Sequence, residues 1–395
     1  MQELVQTVSF ENTERAFQAR SNAKLARTYW LFRLIDNPFL TKWAPKLLNL
    51  AFSLRLPVEG IVKKTIFELF VGGESLAETA ETSAYLDQYG VRTILDYSVE
   101  GEKNIEGFDR TRDEIIATLA HGAQHESVAF SACKLTGLAP FDLMARIQAG
   151  AALTDAEQQA YERVQQRLEA IAQAAVQYDT PLFLDAEESW IQDFIDSMAE
   201  SLMEKYNRAK PLIWTTVQLY RHDRYDYLRG LIQRSRERGY VLGVKLVRGA
   251  YLEKENQRAL DHGYPTPMQP SKRATDRDFD AALATCVRNL GHVAVCAGTH
   301  NENSSRYLMQ LMQTYGIAPQ HPHIWFSQLL GMSDHISFNL AHQGYNVAKY
   351  LPYGPVRAVM PYLMRRAEEN TAIAGQSSRE VTLLKREMRR RKGNS

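Results

Sequence analysis

Two adjacent arginines near the carboxyl end of the chain, Arg365 and Arg366, stand three and four residues after Tyr362, and Glu369 follows one turn later. On a helix these four side chains share one face. Paired guanidinium groups with an acid beside them can hold a small carboxylate through parallel hydrogen bonds. A solvated charged face has the same spacing, so the choice depends on the rest of the chain. Other residues with chemical use are Lys134, Asp185 with Glu187 and Glu188, Gln218, Lys245 with Arg248, Thr299 with His300 and Asn301, Gln328, and Lys349 with Tyr350. The surplus of cations suits an anionic substrate, a phosphate-bearing cofactor, or both. Phosphate would find Arg248, Gly249 and Ala250, where glycine permits close backbone approach, and the turn at 298–301, which opens a helix. Metal hydrolysis is not supported: His300 stands alone, the first strand lacks a His-x-His end, and the cations would repel a divalent ion. The Gly-x-Gly-x-x-Gly dinucleotide fingerprint is absent as well. On chemistry alone a Schiff-base role for Lys134 or Lys245 stays open.

The elements that must position these groups show in the hydrophobic periodicity. From residue 91 onward, short β-branched or apolar runs occur at 91–97, 128–135, 181–185, 212–220, 241–247, 292–300, 323–330 and 347–351. Stretches of helical period follow, among them 110–121, 190–206, 225–238, 277–290, 304–315 and 334–343. Eight βα units predict a closed barrel of parallel strands, an α/β fold, because parallel strands joined by helices must be covered on both faces. Nearly all of the polar residues above fall at the carboxyl end of a strand, where barrels of this kind place their reacting groups. A mouth lined this way is a small-molecule site. The connection at 140–178 exceeds one crossover, and its Thr154-Asp155-Ala156-Glu157 looks like a capped helix start, so an extra helical hairpin is expected after the second strand. Residues 1–85 read as a helical arm or cap, 86–375 as the barrel, and 376–395 as a basic, frayed and solvated tail. In the last βα unit, Val356, Val359, Met360, Leu363 and Ala367 would form the packing face.

Composition sets the outer limits. A chain of 395 residues, 45% hydrophobic and 24% charged, with net charge +1, buries a large core and gives no whole-protein reason to expect nucleic acid. Its 3 cysteines have neither paired nor metal-ligand spacing and suggest a reducing compartment. No apolar run approaches the roughly 20 residues that span a bilayer. The stretch 24–33 is expected to pack against the main domain, with a membrane surface as the alternative, and the basic tail is a second candidate for membrane contact.

The runs Val244-Lys245-Leu246-Val247-Arg248-Gly249-Ala250-Tyr251, Leu184-Asp185-Ala186-Glu187-Glu188 and Tyr362-Leu363-Met364-Arg365-Arg366-Ala367-Glu368-Glu369-Asn370 closely resemble the signatures of the flavin-dependent proline dehydrogenases. Phe70-Val71-Gly72-Gly73-Glu74 and Thr299-His300-Asn301 fit the same family, in the same order. The resemblance implies a distorted (βα)8 TIM-type barrel that holds FAD and oxidises L-proline to Δ1-pyrroline-5-carboxylate, passing electrons to a membrane quinone. It implies that Arg365, Arg366 and Lys134 bind the substrate carboxylate while Tyr350 and Leu246 pack on its ring. Asp185 would be the acid beside the substrate, paired with Lys134 or a neighbouring cation. Gln218, Lys245, Arg248, Gly249, Ala250, Thr299 and His300 would hold the flavin, with Lys245 near its reactive nitrogen, and Glu369 would order an arginine. Asp185 and water are both open as acceptors of the substrate's ammonium proton. The implied location is the cytoplasm, with peripheral contact on the inner face of the respiratory membrane. The nearest alternative activity is a trans-4-hydroxy-L-proline dehydrogenase.

Overall fold

The computed structural model describes residues 8–35, 58–99, 102, 104–372 and 376–393. Eight strands follow one another as β1 (Val91–Tyr97), β2 (Val128–Cys133), β3 (Leu182–Leu184), β4 (Ile213–Gln218), β5 (Leu242–Val247), β6 (Val293–Gly298), β7 (Ile324–Leu329) and β8 (Val347–Tyr353). They pair in parallel in chain order, and β8 returns to β1 to close the barrel. All eight expected runs are strands: β1 keeps its expected bounds, six are one to three residues shorter, and β8 runs two residues further, to Tyr353. The ladder is uneven: β3 meets β4 only at Leu182↔Ile213 and Phe183↔Trp214, whereas β1 and β8 stay in register from Val91↔Val347 to Tyr97↔Tyr353.

Alternate residues of each strand fill the barrel. Phe130 stacks on Phe183 with ring centroids 4.4 Å apart, and Trp214 stands edge-on to both at 5.3 and 5.4 Å. Gly243 leaves the room this cluster needs, since a Cβ there would lie 2.6 Å from Trp214 Cγ. These rings fill the barrel interior, and the cavity lies at the carboxyl ends of the strands.

The expected hairpin after β2 is present as helices Phe141–Gln148 and Asp155–Gln177. Thr154 caps the second: its Oγ1 accepts from Glu157 N at 3.3 Å, and its own N–H donates to Glu157 Oε2 at 2.8 Å. A further helix, Leu252–His262, follows β5 and was not anticipated. Its buried Glu255 accepts from Ser189 N and Oγ, both at 2.6 Å, and so braces the start of the helix after β3.

The tail is not frayed. Residues Gln376–Gly393 form a helix in which Leu383 and Leu384 are buried, sharing a second core with Phe17, Leu25 and Phe32 of the arm and with Val356, Val359 and Leu363 beyond β8. Its basic run hides an apolar stripe at Val381, Leu384 and Met388, spaced for one helix face. Burying each leucine contributes on the order of 1.5 to 3 kcal/mol. Arg391 then reaches the arm, donating to Arg20 O at 2.8 Å and Phe17 O at 2.9 Å. Among the described residues no helix is long and apolar enough to cross a membrane.

Candidate active site

A chain of opposite charges lies across the barrel mouth. Asp96, at the end of β1, accepts from Lys134 Nζ at 2.8 Å, and Lys134 also donates to Tyr350 OH at 3.3 Å. Tyr350 OH in turn donates to Asp185 Oδ2 at 2.7 Å, and the other Asp185 oxygen accepts from Lys245. Lys245 Nζ sits over the Phe183 and Tyr350 rings, 4.8 and 5.1 Å from their centroids, so aromatic faces share its charge. Burial pushes the Asp185 carboxyl up, but the charges of Lys245 and Lys134 outweigh it and leave the pKa below the ordinary carboxylate value. Asp185 is therefore an anion committed to its neighbours. Burial, with Asp185 and Asp96 nearby, raises the Tyr350 phenol well above its usual pKa and keeps it protonated as a donor.

Above this chain is a cavity of about 560 Å³ whose lining includes Lys134, Tyr350, Leu329, Tyr362, Arg365 and Arg366. The helix Met360–Ala372 delivers the two arginines. Met360 and Leu363 are buried on its other face, and Arg365 and Arg366 lie over the Tyr251 and Tyr362 rings at 5.7 and 5.1 Å. The cavity continues past Thr216, Gln218 and Lys245 to Arg248, Thr299 and His300. Gln218 donates to Glu187 O at 2.9 Å, while its buried Oε1 has no partner and offers an acceptor to a bound group. Arg248 uses three of its N–H donors on Asp276 Oδ1 at 2.8 Å, Thr299 Oγ1 at 2.7 Å and Ser304 Oγ at 2.9 Å.

His300 lines the cavity, and its Nδ1 is 3.0 Å from Ser333 Oγ. Burial, then the charges of Lys349, Arg366, His335 and Arg248, lower its pKa to about 3, so the ring is neutral at physiological pH. The unfolded chain binds that proton near pH 6.5 and the folded chain only near 3, so this group costs stability progressively as pH falls through that window. His300→Gln is expected to flatten the fall in urea midpoint between pH 6.5 and 4. Equal slopes for the two proteins would refute that source of the pH dependence.

Several expected placements differ. Leu246 lies under the helices, fully buried in the outer core, because side chains alternate along a strand and Lys245 takes the inward position. Leu329, at the inward end of β7 beside Tyr350, is the aliphatic wall of the cavity. Lys349 also points outward, pairing with Asp334 Oδ1 at 2.8 Å, while Asp334 holds Arg20 of the arm at 2.6 Å. Gly249 is glycine because φ is +139° and a Cβ would meet the Tyr220 ring at 2.4 Å. Close approach of a phosphate is not what requires it. Nor does the turn at 298–301 leave a bare helix end: Asn301 Oδ1 accepts from Asn303 N at 2.9 Å and Ser304 N at 3.2 Å. Glu187 is a buried acceptor for Thr136 N at 3.0 Å, and Glu188 starts the next helix paired with Lys254. Ala250 and Thr299 line the cavity. The side chain of Glu369 lies outside the described residues.

Fold and site together define a (βα)8 barrel with a cationic small-molecule cavity at the carboxyl ends of its strands. The chain belongs to the proline dehydrogenase family of oxidoreductases: the family described as Proline dehydrogenase matches residues 79–379. It is 29% identical to proline dehydrogenase 1, mitochondrial, of Dictyostelium discoideum, over 96% of this chain and 74% of that protein. The carbapenem antibiotics biosynthesis protein CarD of Pectobacterium carotovorum subsp. carotovorum is 32% identical over 84% of this chain and 86% of its own length. Hydroxyproline dehydrogenase of Xenopus laevis is 30% identical over 95% of this chain and 88% of its own. In fold it is similar to the crystal structure of proline utilization A from Bdellovibrio bacteriovorus inactivated by N-propargylglycine, with a TM-score of 0.69 at 18% identity over 92% of this chain. The chain spans 37% of that protein's length.

Proposed function

We propose that the protein binds FAD and oxidises L-proline to Δ1-pyrroline-5-carboxylate, passing the electrons to a quinone. The observation that carries this reading is one cavity with two kinds of lining. Lys134, Arg365 and Arg366 with the Tyr350 and Leu329 wall suit a small carboxylate on an apolar ring. The partnerless Gln218 Oε1, Arg248, Thr299 and His300 offer polar contacts to a larger group. These residues would hold a flavin, Gln218 through its unpaired acceptor and Arg248 through its guanidinium charge. When bound, FAD would supply the hydride acceptor.

The chain's own residues prepare the substrate. The arginines and Lys134 fix the carboxylate, and Tyr350 with Leu329 orients the ring, which supplies proximity without covalent chemistry. A Schiff base finds no support in Lys245, whose ammonium is committed to Asp185. Asp185 acts as a positioning residue for Lys245 and Tyr350, because an anion with a lowered pKa is a weak base. Water then takes the ammonium proton of proline. Trp30 (62% exposed) and Leu34 (52%) of the arm suit contact with a membrane surface, where the quinone resides. Steady-state kinetics with proline and with trans-4-hydroxy-L-proline, using a soluble quinone and one held in anionic vesicles, test the reading. Turnover of neither substrate, or electron delivery only to a nicotinamide, would sink it.

Proline is the expected substrate because Tyr350 cannot retreat. Its hydroxyl is held by Asp185 at 2.7 Å and Lys134 at 3.3 Å, and its ring by Lys245. A ring hydroxyl at position four would press on this wall or go unpaired, at a cost of about 1 to 3 kcal/mol. Proline should therefore exceed trans-4-hydroxy-L-proline by at least roughly tenfold in kcat/KM. Tyr350→Ser should narrow the gap, mainly by weakening proline. Comparable efficiencies in the unmodified protein would overturn the choice.

A further inference from the structure

The residue that holds His300 is itself held in an unusual way. Ser333 stands at the start of the helix Asp334–His342 with φ +52°, one of two non-glycine residues with positive φ among the described residues. A serine at this position ordinarily turns its hydroxyl back to cap its own helix. Ser333 does not cap: the left-handed backbone directs its Oγ to His300 Nδ1, 3.0 Å away. Such a conformation is unfavourable for a residue with a Cβ and persists only where the surroundings impose it. Two groups hold this backbone: Lys349 donates to the preceding Met332 O, and a carboxylate from the far end of the chain takes the Ser333 amide. Glu380 Oε1 accepts the Ser333 N–H at 2.6 Å, and Glu380 is 2% exposed.

The carboxylate is anchored in its turn. Glu380 lies on the carboxyl-terminal helix Gln376–Gly393, whose Leu383 and Leu384 are buried against the arm. The preceding residue, Arg379, pairs with Glu302 Oε1 at 2.9 Å and with Glu11 of the arm. Glu302 also accepts from His335 Nε2 at 3.1 Å, which closes the network on the helix that Ser333 begins. Both Arg379 and Glu380 line the cavity beside His300.

We propose that Glu380 is a positioning residue for the cofactor end of the cavity, and that the carboxyl-terminal helix acts as a latch that fixes His300 through Ser333. The inference rests on the cofactor reading above and adds a group to it: the ring is aimed by a helix outside the barrel. Contact with the cofactor belongs to His300, and Glu380 acts through it.

Two measurements on the full-length protein test the latch. In flavin-free protein, hydrogen–deuterium exchange of the peptide carrying Ser333 is expected to speed up in Glu380→Ala, which removes the acceptor, and to stay near wild type in Glu380→Gln, which keeps one. Unchanged exchange in Glu380→Ala overturns the proposal whether or not the protein binds flavin. In the second measurement, Glu380→Ala should weaken FAD affinity on the order of tenfold and Glu380→Gln within about twofold. Adding Glu380→Ala to His300→Ala should weaken it no further, because both act through one contact. Losses that simply add would assign Glu380 a general structural role and overturn the latch. If the wild-type chain binds no FAD, the cofactor reading falls, and the exchange experiment still decides whether Glu380 holds Ser333.

Discussion

Asp185→Ala is expected to cost about 3 to 5 kcal/mol of folding stability, the range for removing one partner of a buried ion pair. The carboxylate accepts from Lys245 and Tyr350, and it lies 4.0 Å from Lys134. Without it Lys245, whose side chain is 6% exposed, loses its carboxylate partner and faces the Phe183 and Tyr350 rings. Asp96 still serves Lys134 at 2.8 Å, so the loss concentrates on Lys245 and the Tyr350 hydroxyl. Asp185→Asn preserves the volume and one acceptor oxygen and should recover part of the deficit. The sign with pH follows from the lowered pKa: the contribution is complete above the ordinary carboxylate value and is lost as pH falls through the lower folded value. Urea midpoints of the three proteins at neutral pH give the comparison. A wild-type midpoint in Asp185→Ala would show that Lys245 does not depend on the pair.

The second large effect belongs to the carboxylate clamp. Arg366 is 6% exposed, and its guanidinium is fixed beside the Tyr362 ring at 5.1 Å. Deleting a charged hydrogen-bond partner of the substrate costs roughly 1.5 to 3 kcal/mol, so Arg366→Ala should lower kcat/KM for proline by about 10- to 150-fold. Arg366→Lys restores the charge without the planar fork and should recover only part of the loss. Arg365→Ala should fall in the same range, since both arginines line the cavity. An unchanged kcat/KM in either alanine variant would separate that arginine from substrate binding.

The sequence by itself determined the barrel, its strand ends and the arginine pair, because each of these is written locally. A change of hydrophobic period marks a strand or a helix within a dozen residues, and eight alternations admit few ways of covering both faces of a parallel sheet. Arg365 and Arg366 follow Tyr362 by three and four residues, which places the three on one stripe by helical spacing alone. The pleat was legible too: once Lys245 is read as inward, Leu246 must be outward and Leu329 takes the wall. Tertiary structure alone decided which charges meet. Asp185 finds Lys245 and Tyr350 from 60 and 165 residues away, and Lys349 leaves the mouth for Asp334. It also decided the fate of the basic tail, whose apolar stripe is buried because the arm offers a surface for it. Glu380 reaches Ser333 across 47 residues, and no local pattern marks that pairing. The reason is physical: periodicity records which face of an element is dry, whereas a buried hydrogen bond between distant elements depends on where closure of the barrel brings them.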